Sequence, residues 1–285
     1  MNQLIAYNNT IIPVNEIPFN IIENRSFQYG DGTFETIKIL HGIPFHLKSH
    51  ILRLENGLKA LKIEVNTKEI KDSIYKLIEA LNLTSHGIIK LQVFRNQGGK
   101  YIPHSNKGSY IISIENQNNS YELNIQGWTT KIFHDTPVKK TAFSGFKSPG
   151  QHCYIQAGIY TKEQLIDHCI LLDERGYLCE GLSSNLFLVK NGAMYTPKNN
   201  TGNIPGIMQS IITKIANKAG IEVYQANILP EDLISYDELF FTNVNTAIRW
   251  VLAYEGKRFV NTTSKKLLRV LNEQIEQNIN AITTA

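Results

Sequence analysis

Two helical stripes follow one another in the first third of the chain, and they constrain its fold more than any other feature. Leu47, Ile51, Leu54, Leu58 and Leu61 recur at helical spacing, and Ile70, Ile74, Leu77, Ile78 and Leu81 do so again after a short polar break. Thr67, with Glu69 close behind it, is placed to cap the second helix. Each helix has an apolar face to bury, and the flanking segments offer a surface for it. Thr33 to Leu40 is rich in β-branched residues, with Glu35 and Lys38 as its charged members, and Gly87 to Phe94 and Tyr110 to Glu115 read as further strands. Leu4 to Val14 reads as a hairpin around Asn8-Asn9. Arg53 sits beside the first stripe rather than on it. Two consecutive helices among strands make an α+β layer.

The pattern then changes. Asn116-Gln-Asn-Asn-Ser120 has no apolar group to bury, so a linker is expected over residues 116–122. It would join a small N-terminal α/β domain, residues 1–115, to a larger C-terminal domain, residues 123–285. In the larger domain a strand near Leu123 to Phe133 precedes a helix from about Gln151 to Gln164. Hairpins follow around Asp173-Glu-Arg-Gly176 and around Asn191-Gly192. Ile207 to Ala219 is an amphipathic helix stopped by Gly220. Strands at Glu222 to Gln225 and Glu238 to Thr242 and a helix from Lys265 to Asn278 complete the chain. The second half is therefore β-rich, with helices interspersed.

Composition narrows the function classes. With 285 residues, 42% of them hydrophobic and 19% charged, a sizeable core is expected. The net charge of +4 is scattered rather than striped, which argues against nucleic acid as the ligand. The three cysteines, Cys153, Cys169 and Cys179, show no CxxC pairing and read as reduced cytosolic thiols. The N-terminus lacks the basic and apolar regions of a signal peptide, and no apolar run approaches the roughly 20 residues that span a bilayer. A soluble, cytoplasmic protein without membrane contact is expected.

Four stretches carry the chemistry. Lys147 follows Phe146 and precedes a proline-glycine break, a context that turns an amine inward. Glu180 ends a strand and leads through Gly181 and small polar residues to Asn185. Gly206 opens a helix and leaves the N–H groups of Ile207 and Met208 at its positive end. Thr242-Asn-Val-Asn-Thr246 offers amides and side-chain donors after an apolar strand. Singly, each has an ordinary reading: a solvated lysine, a surface turn, a plain helix start, a polar loop. In this order, an amine, a carboxylate and a helix N-terminus are the parts of a pyridoxal-phosphate site, where a lysine bonds the cofactor and a carboxylate holds its pyridine nitrogen. Tyr29-Gly-Asp-Gly-Thr-Phe34 lacks the full G-x-G-x-x-G and does not join a strand to a helix, so it is no nucleotide loop. His46 and His50 lie at i, i+4 without the intervening glutamate of a zinc helix, and a structural role is expected of them.

Together with Tyr29-Gly-Asp-Gly-Thr-Phe-Glu-Thr36, His50-Ile-Leu-Arg-Leu54 and Phe241-Thr-Asn-Val-Asn245, the stretches Glu180-Gly-Leu-Ser-Ser-Asn-Leu-Phe187 and Ile204-Pro-Gly-Ile-Met-Gln209 resemble the class IV, fold-type IV pyridoxal-phosphate enzymes. That family includes branched-chain aminotransferases, D-amino-acid aminotransferases and 4-amino-4-deoxychorismate lyases. The resemblance implies a homodimer of two-domain chains, with pyridoxal 5'-phosphate between the small α/β domain and the large β-rich α/β domain. It implies that Lys147 forms the internal aldimine and moves a proton at the substrate α-carbon, and that Glu180 pairs with the pyridine nitrogen. Arg53, the amides of Ile207 and Met208 after Gly206, and Asn243, Val244 and Asn245 would bind the phosphate, with Ile204 packed under the ring. Tyr29, Phe34 and the loop from Arg95 to Lys100 would meet the substrate. Relatives often place an arginine where Lys100 stands, and a lysine neutralises a carboxylate without gripping it bidentately. Leu182, Gln209 and Val244 stand where the family usually has a small, a basic and a threonine residue. The implied activity is transfer of an amino group from an amino acid, branched-chain ones included, to a 2-oxo acid. The implied alternative is a lyase that releases pyruvate and 4-aminobenzoate from aminodeoxychorismate.

Overall fold

The structure, a computed structural model, describes residues 3–18, 20–117 and 120–283. The chain divides into two compact units: Met1–Ser120 with Gly145–Gly150, and Tyr121–Ser144 with Gln151–Ala285.

In the first unit, β1 (Leu4–Tyr7) and β2 (Thr10–Pro13) form the hairpin, and Tyr7 faces Thr10 across Asn8-Asn9. A short helix, α1 (Arg25–Tyr29), leads to β3 (Gly32–Leu40) and β4 (Ile43–Pro44). Then come α2 (Leu47–Leu61), α3 (Thr67–Ala80), β5 (His86–Arg95) and β6 (Gly108–Gln117). The strands form one six-stranded sheet in the order β2-β1-β6-β5-β3-β4. Leu54, Leu58, Ile70, Ile74 and Leu77 of the helices join Ile37, Ile89 and Ile112 of the sheet in one buried cluster. Each such side chain contributes roughly 1.5–3 kcal/mol when fully buried.

Three expectations shift in this unit. The cap of α3 is Asn66, whose Oδ1 accepts from Lys68 N at 3.1 Å, while Thr67 donates its hydroxyl to Glu55 at 2.7 Å. Glu69 helps, accepting from the Asn66 amide at 2.9 Å. The linker expected over 116–122 begins inside β6, where Asn116 and Gln117 pair with Gly87 and His86. Ladder pairing uses the backbone and needs no apolar side chain, which is why polarity misplaced this boundary. Residues 118 and 119 of that linker lie outside the described residues. Finally, Gly145–Gly150 belongs to the first unit although it was read as part of the second domain. Thr33 Oγ1 and Phe34 N both donate to the Lys147 carbonyl, at 2.7 and 3.0 Å. Phe146 is buried on α2 at Gly57, where an added Cβ would stand 2.9 Å from its ring.

The second unit contains β7 (Trp128–Val138), α4 (His152–Glu163), β8 (His168–Asp173), β9 (Leu178–Gly181), β10 (Asn185–Lys190) and β11 (Ala193–Pro197). It continues with α5 (Ile207–Lys218), β12 (Val223–Ala226), β13 (Glu238–Asn243), β14 (Ala247–Tyr254), β15 (Lys257–Arg258) and α6 (Thr262–Thr283). Its nine-stranded sheet runs β12-β11-β10-β13-β14-β7-β8-β9, with β15 paired to β14. Parallel pairs (β11 with β12, β7 with β14 and with β8) mix with antiparallel ones. Terminal strand β9 returns against β10 and β11, so the sheet curls toward closure. Ile170, Leu186, Leu188, Leu239, Phe241 and Val251 are central to its core.

β7 starts at Trp128 rather than Leu123. Ahead of it, the Asn124 side chain accepts from Trp250 N and donates to Trp250 O, taking the place of a backbone ladder. β14 has no counterpart in the sequence reading. Both of its faces are largely covered, which erases the alternation that marks a half-exposed strand. No helix among the described residues is long and apolar enough to cross a membrane.

Candidate active site

The first unit supplies cations on a strand platform. β3 holds Lys147 by its carbonyl, as described above, and the Lys147 Nζ lies 5.4 Å from the centre of the Phe34 ring. One residue further along the strand, Glu35 is buried. Arg53 Nε donates to Glu35 Oε1 and Arg53 Nη2 to Glu35 Oε2, both at 2.7 Å, and His50 Nδ1 lies 2.8 Å from Oε2. Burial alone would raise the Glu35 pKa, but its hydrogen bonds to Arg53 and then to His50 outweigh that and hold it below the usual carboxylate range. Burial pushes His50 down, and its Nε2 has no hydrogen-bond partner among the described residues. The i, i+4 histidine thus serves a carboxylate. Arg53, read as off the apolar stripe, points into the unit with its guanidinium plane set by a bidentate grip.

The expected substrate loop is organised by arginines. Arg95 is buried and donates to Asp31 at 2.9 Å, Leu61 O at 2.6 Å, Lys62 O at 3.1 Å and Asn106 at 2.7 Å. Its guanidinium ties the end of β5 to the end of α2 and to Asn106. Arg25 donates to the same Asp31 at 2.8 Å and to the carbonyls of Gly98, Gly99 and Lys100 at 3.1, 3.1 and 2.8 Å. Lys100 itself is exposed. Tyr29 is also exposed, with the Arg25 guanidinium 5.0 Å from its ring centre and Tyr101 at 5.7 Å.

The second unit gathers neutral donors around one carboxylate. Glu180, at the end of β9, is 3% exposed. The Tyr154 hydroxyl, from α4, donates to Oε1 at 2.5 Å, and Ile204 N donates to Oε2 at 3.2 Å. Burial, and next the Glu180 charge, raise the Tyr154 pKa, so the phenol keeps its proton. The Ile204 carbonyl accepts from Asn185 Nδ2 at 2.8 Å, so both ends of that residue are pinned. Gly206 is required by the same asparagine: an added Cβ would lie 1.8 Å from Asn185 Oδ1. Buried Ile207 and Met208 open α5, where the first N–H groups have no intrahelical partner. Gln209 faces inward, accepting from Gly206 N at 3.4 Å and donating to Thr196 at 2.9 Å. It anchors the start of α5 to β11. Leu182 packs against the cluster that α4 forms with β7 and β8.

The turn after β13 holds itself together. Asn243 Oδ1 accepts from Asn245 N at 3.0 Å and from Thr246 N at 2.9 Å, and the Val244 carbonyl accepts from the Tyr121 hydroxyl at 2.7 Å. Thr242 Oγ1 is buried without a hydrogen-bond partner among the described residues. Burial raises all three thiols, Cys153 to about 11, which keeps them protonated and poor nucleophiles. Sequence reasoning missed Tyr154, Glu35 and Arg25 as members of these clusters. Asn185 lies within the Glu180–Phe187 stretch, but its reach to Ile204 does not show in the sequence.

The family model for amino-transferase class IV matches residues 32–254. A Methanocaldococcus jannaschii protein provisionally named a branched-chain-amino-acid aminotransferase is 30% identical over 253 residues, 87% of each chain. An aminodeoxychorismate lyase of Bacillus subtilis is 29% identical over 230 residues, covering 77% of this chain and 76% of its own. The solved structure of the branched-chain aminotransferase from Thermoproteus uzoniensis with norvaline superposes with a TM-score of 0.86 at 20% identity, covering 95% of this chain and 93% of that one. At that identity the likeness concerns the fold.

Proposed function

The chain belongs to the class IV aminotransferases, pyridoxal-phosphate enzymes, and we propose that it moves an amino group from a branched-chain amino acid to a 2-oxo acid. The observation that carries the substrate class is the reach of one similarity: the M. jannaschii relative matches over 87% of both chains.

The residues present fit the cofactor. A buried carboxylate with neutral donors suits a pyridine N–H. The N–H groups at the start of α5 and the Thr242 hydroxyl, which has no hydrogen-bond partner among the described residues, suit a phosphate. When bound, pyridoxal phosphate supplies a carbonyl that takes up the amino group and a ring that accepts the electrons left at the α-carbon. Lys147 would hold that carbonyl and would be the base that moves the proton at the substrate α-carbon. Its carbonyl anchorage on Thr33 and Phe34 makes the side chain the moving part. Glu180 would bind the pyridine nitrogen and Ile204 would pack against the ring. Arg53, the N–H groups of Ile207 and Met208 beyond Gly206, and the turn of Asn243, Val244 and Asn245 hold the phosphate. Tyr29 and Phe34 contact the substrate, Lys100 neutralises its carboxylate, and Arg95 keeps the loop in shape. The active species is a homodimer, which gel filtration will show.

Mixing the holoenzyme with single amino acids should convert bound pyridoxal phosphate to pyridoxamine phosphate, fastest with branched-chain ones. Absence of this half-reaction with every amino acid would sink the proposal. The B. subtilis relative favours a second reading, the lyase. Release of pyruvate from aminodeoxychorismate without an amino acceptor would decide for it. Lys147→Ala should abolish the borohydride-reducible attachment of the cofactor, and a retained attachment would remove Lys147 from this role.

A further inference from the structure

We propose that Tyr154 is a positioning residue for the reaction, its hydroxyl fixing the Glu180 carboxylate in the orientation that the pyridine nitrogen needs. The inference rests on the proposed function in taking Glu180 as the partner of that nitrogen.

A glutamate carboxylate turns readily about its last torsion, so burial alone does not aim its lone pairs. Here each oxygen has its own donor from a different element. Tyr154 reaches Oε1 from α4 at 2.5 Å, within the range of charge-assisted O–H···O bonds. Ile204 N reaches Oε2 at 3.2 Å, and Asn185 fixes Ile204 in turn through its carbonyl at 2.8 Å. The phenol bond is the shorter of this pair, and turning the carboxylate plane breaks both. Hydrogen bonds to the charged form favour the anion, which is the form that attracts a pyridinium N–H. Both donors are neutral and orient the carboxylate without bringing a charge of their own. The nearby thiols of Cys153 and Cys179 stay protonated through burial and add no charge of their own. Tyr154 keeps its proton for the same reason, so it donates at any working pH. Nothing in the local sequence of α4 signals this, because the bond spans 26 residues.

Tyr154→Phe keeps the ring and removes only the hydroxyl. The expected result is a thermal midpoint lowered by no more than a few degrees, a shifted visible band of the bound cofactor, and a half-reaction slowed about tenfold, the worth of one hydrogen bond to a charged group. The amino-donor KM should change less than about twofold, since the loss falls on the chemical step. In a Glu180→Gln background, adding Tyr154→Phe should alter the rate by less than about twofold, because the hydroxyl acts through that carboxylate. An unaltered band and rate in Tyr154→Phe, or the full tenfold loss persisting in the double variant, overturns the inference and leaves the enzyme's function standing. A wild-type protein that fails to take up pyridoxal phosphate overturns the proposed function, and this inference with it.

Discussion

Glu35 and Glu180 are the same residue type, both on strands and both buried, at 1% and 3% exposure, one in each unit. Their donors differ in charge. Glu35 takes a bidentate arginine and a histidine, while Glu180 takes a phenol and a peptide N–H. A buried carboxylate gripped by a guanidinium has its charge matched where it stands, and removing either partner strands the other. Neutral donors hold a carboxylate in place without supplying an opposing charge themselves. The difference separates a strut, which fixes the plane of Arg53, from a group suited to meet a cationic ring.

The largest expected effect is on the strut. Glu35→Gln removes the anion facing Arg53 and should lower the unfolding free energy by about 3–5 kcal/mol, measured by denaturant titration. A loss below about 1 kcal/mol would mean that the Arg53 grip is dispensable and the comparison misdrawn. Glu180→Gln should behave in the opposite way. Its donors Tyr154 and Ile204 are neutral, so the loss of stability should be smaller than in Glu35→Gln. The half-reaction should fall about 100-fold, as expected on removing a preorganised charge from a reacting system. Similar stability losses in both variants would erase the distinction.

The sequence reveals what is local. The stripes that became α2 and α3, the Asn8-Asn9 and Asn191-Gly192 hairpins, and α5 ahead of Gly220 are all written in periodicity and turn chemistry. What it hides is set by distant partners. Lys147 reads as one lysine before a proline-glycine break, but its seat on Thr33 and Phe34 comes from the far end of the chain, 114 residues away for Thr33. Arg53 and Glu35 each show as a charge in an apolar setting, and only the fold brings them together. Arg95 and Lys100 read alike as basic residues of one loop. The fold turns Arg95 into the backbone carbonyls of Leu61 and Lys62 and leaves Lys100 outside. Thr67 and Asn66 are both good caps, and the nearby Glu55 settles the choice by taking the Thr67 hydroxyl.

The smallest expected effect repeats the comparison with histidines. His50 Nδ1 faces the Glu35 anion, whereas His168 Nε2 lies 2.8 Å from the neutral hydroxyl of Ser184. Burial lowers both pKa values, that of His168 to about 4. For His50 the Glu35 hydrogen bond works against burial, whereas for His168 the opposing influence is the charge of Asp167, without a hydrogen bond to a carboxylate. Above the ordinary histidine value of 6.5 both rings are neutral whether the chain is folded or not, so pH changes nothing through them. Between 6.5 and about 4 the unfolded chain takes up a proton that folded His168 refuses, so stability falls as pH falls through that window. Glu35 adds to the fall only below the ordinary glutamate value of 4.5, where the unfolded carboxylate is protonated first. Denaturant midpoints measured across this range should therefore drop with acid, and His168→Gln should flatten the slope by up to about 1.4 kcal/mol per pH unit. His50→Gln should flatten it less, because Glu35 already favours the proton there. Equal flattening in the two variants would show that the neighbouring anion does not offset the burial of His50.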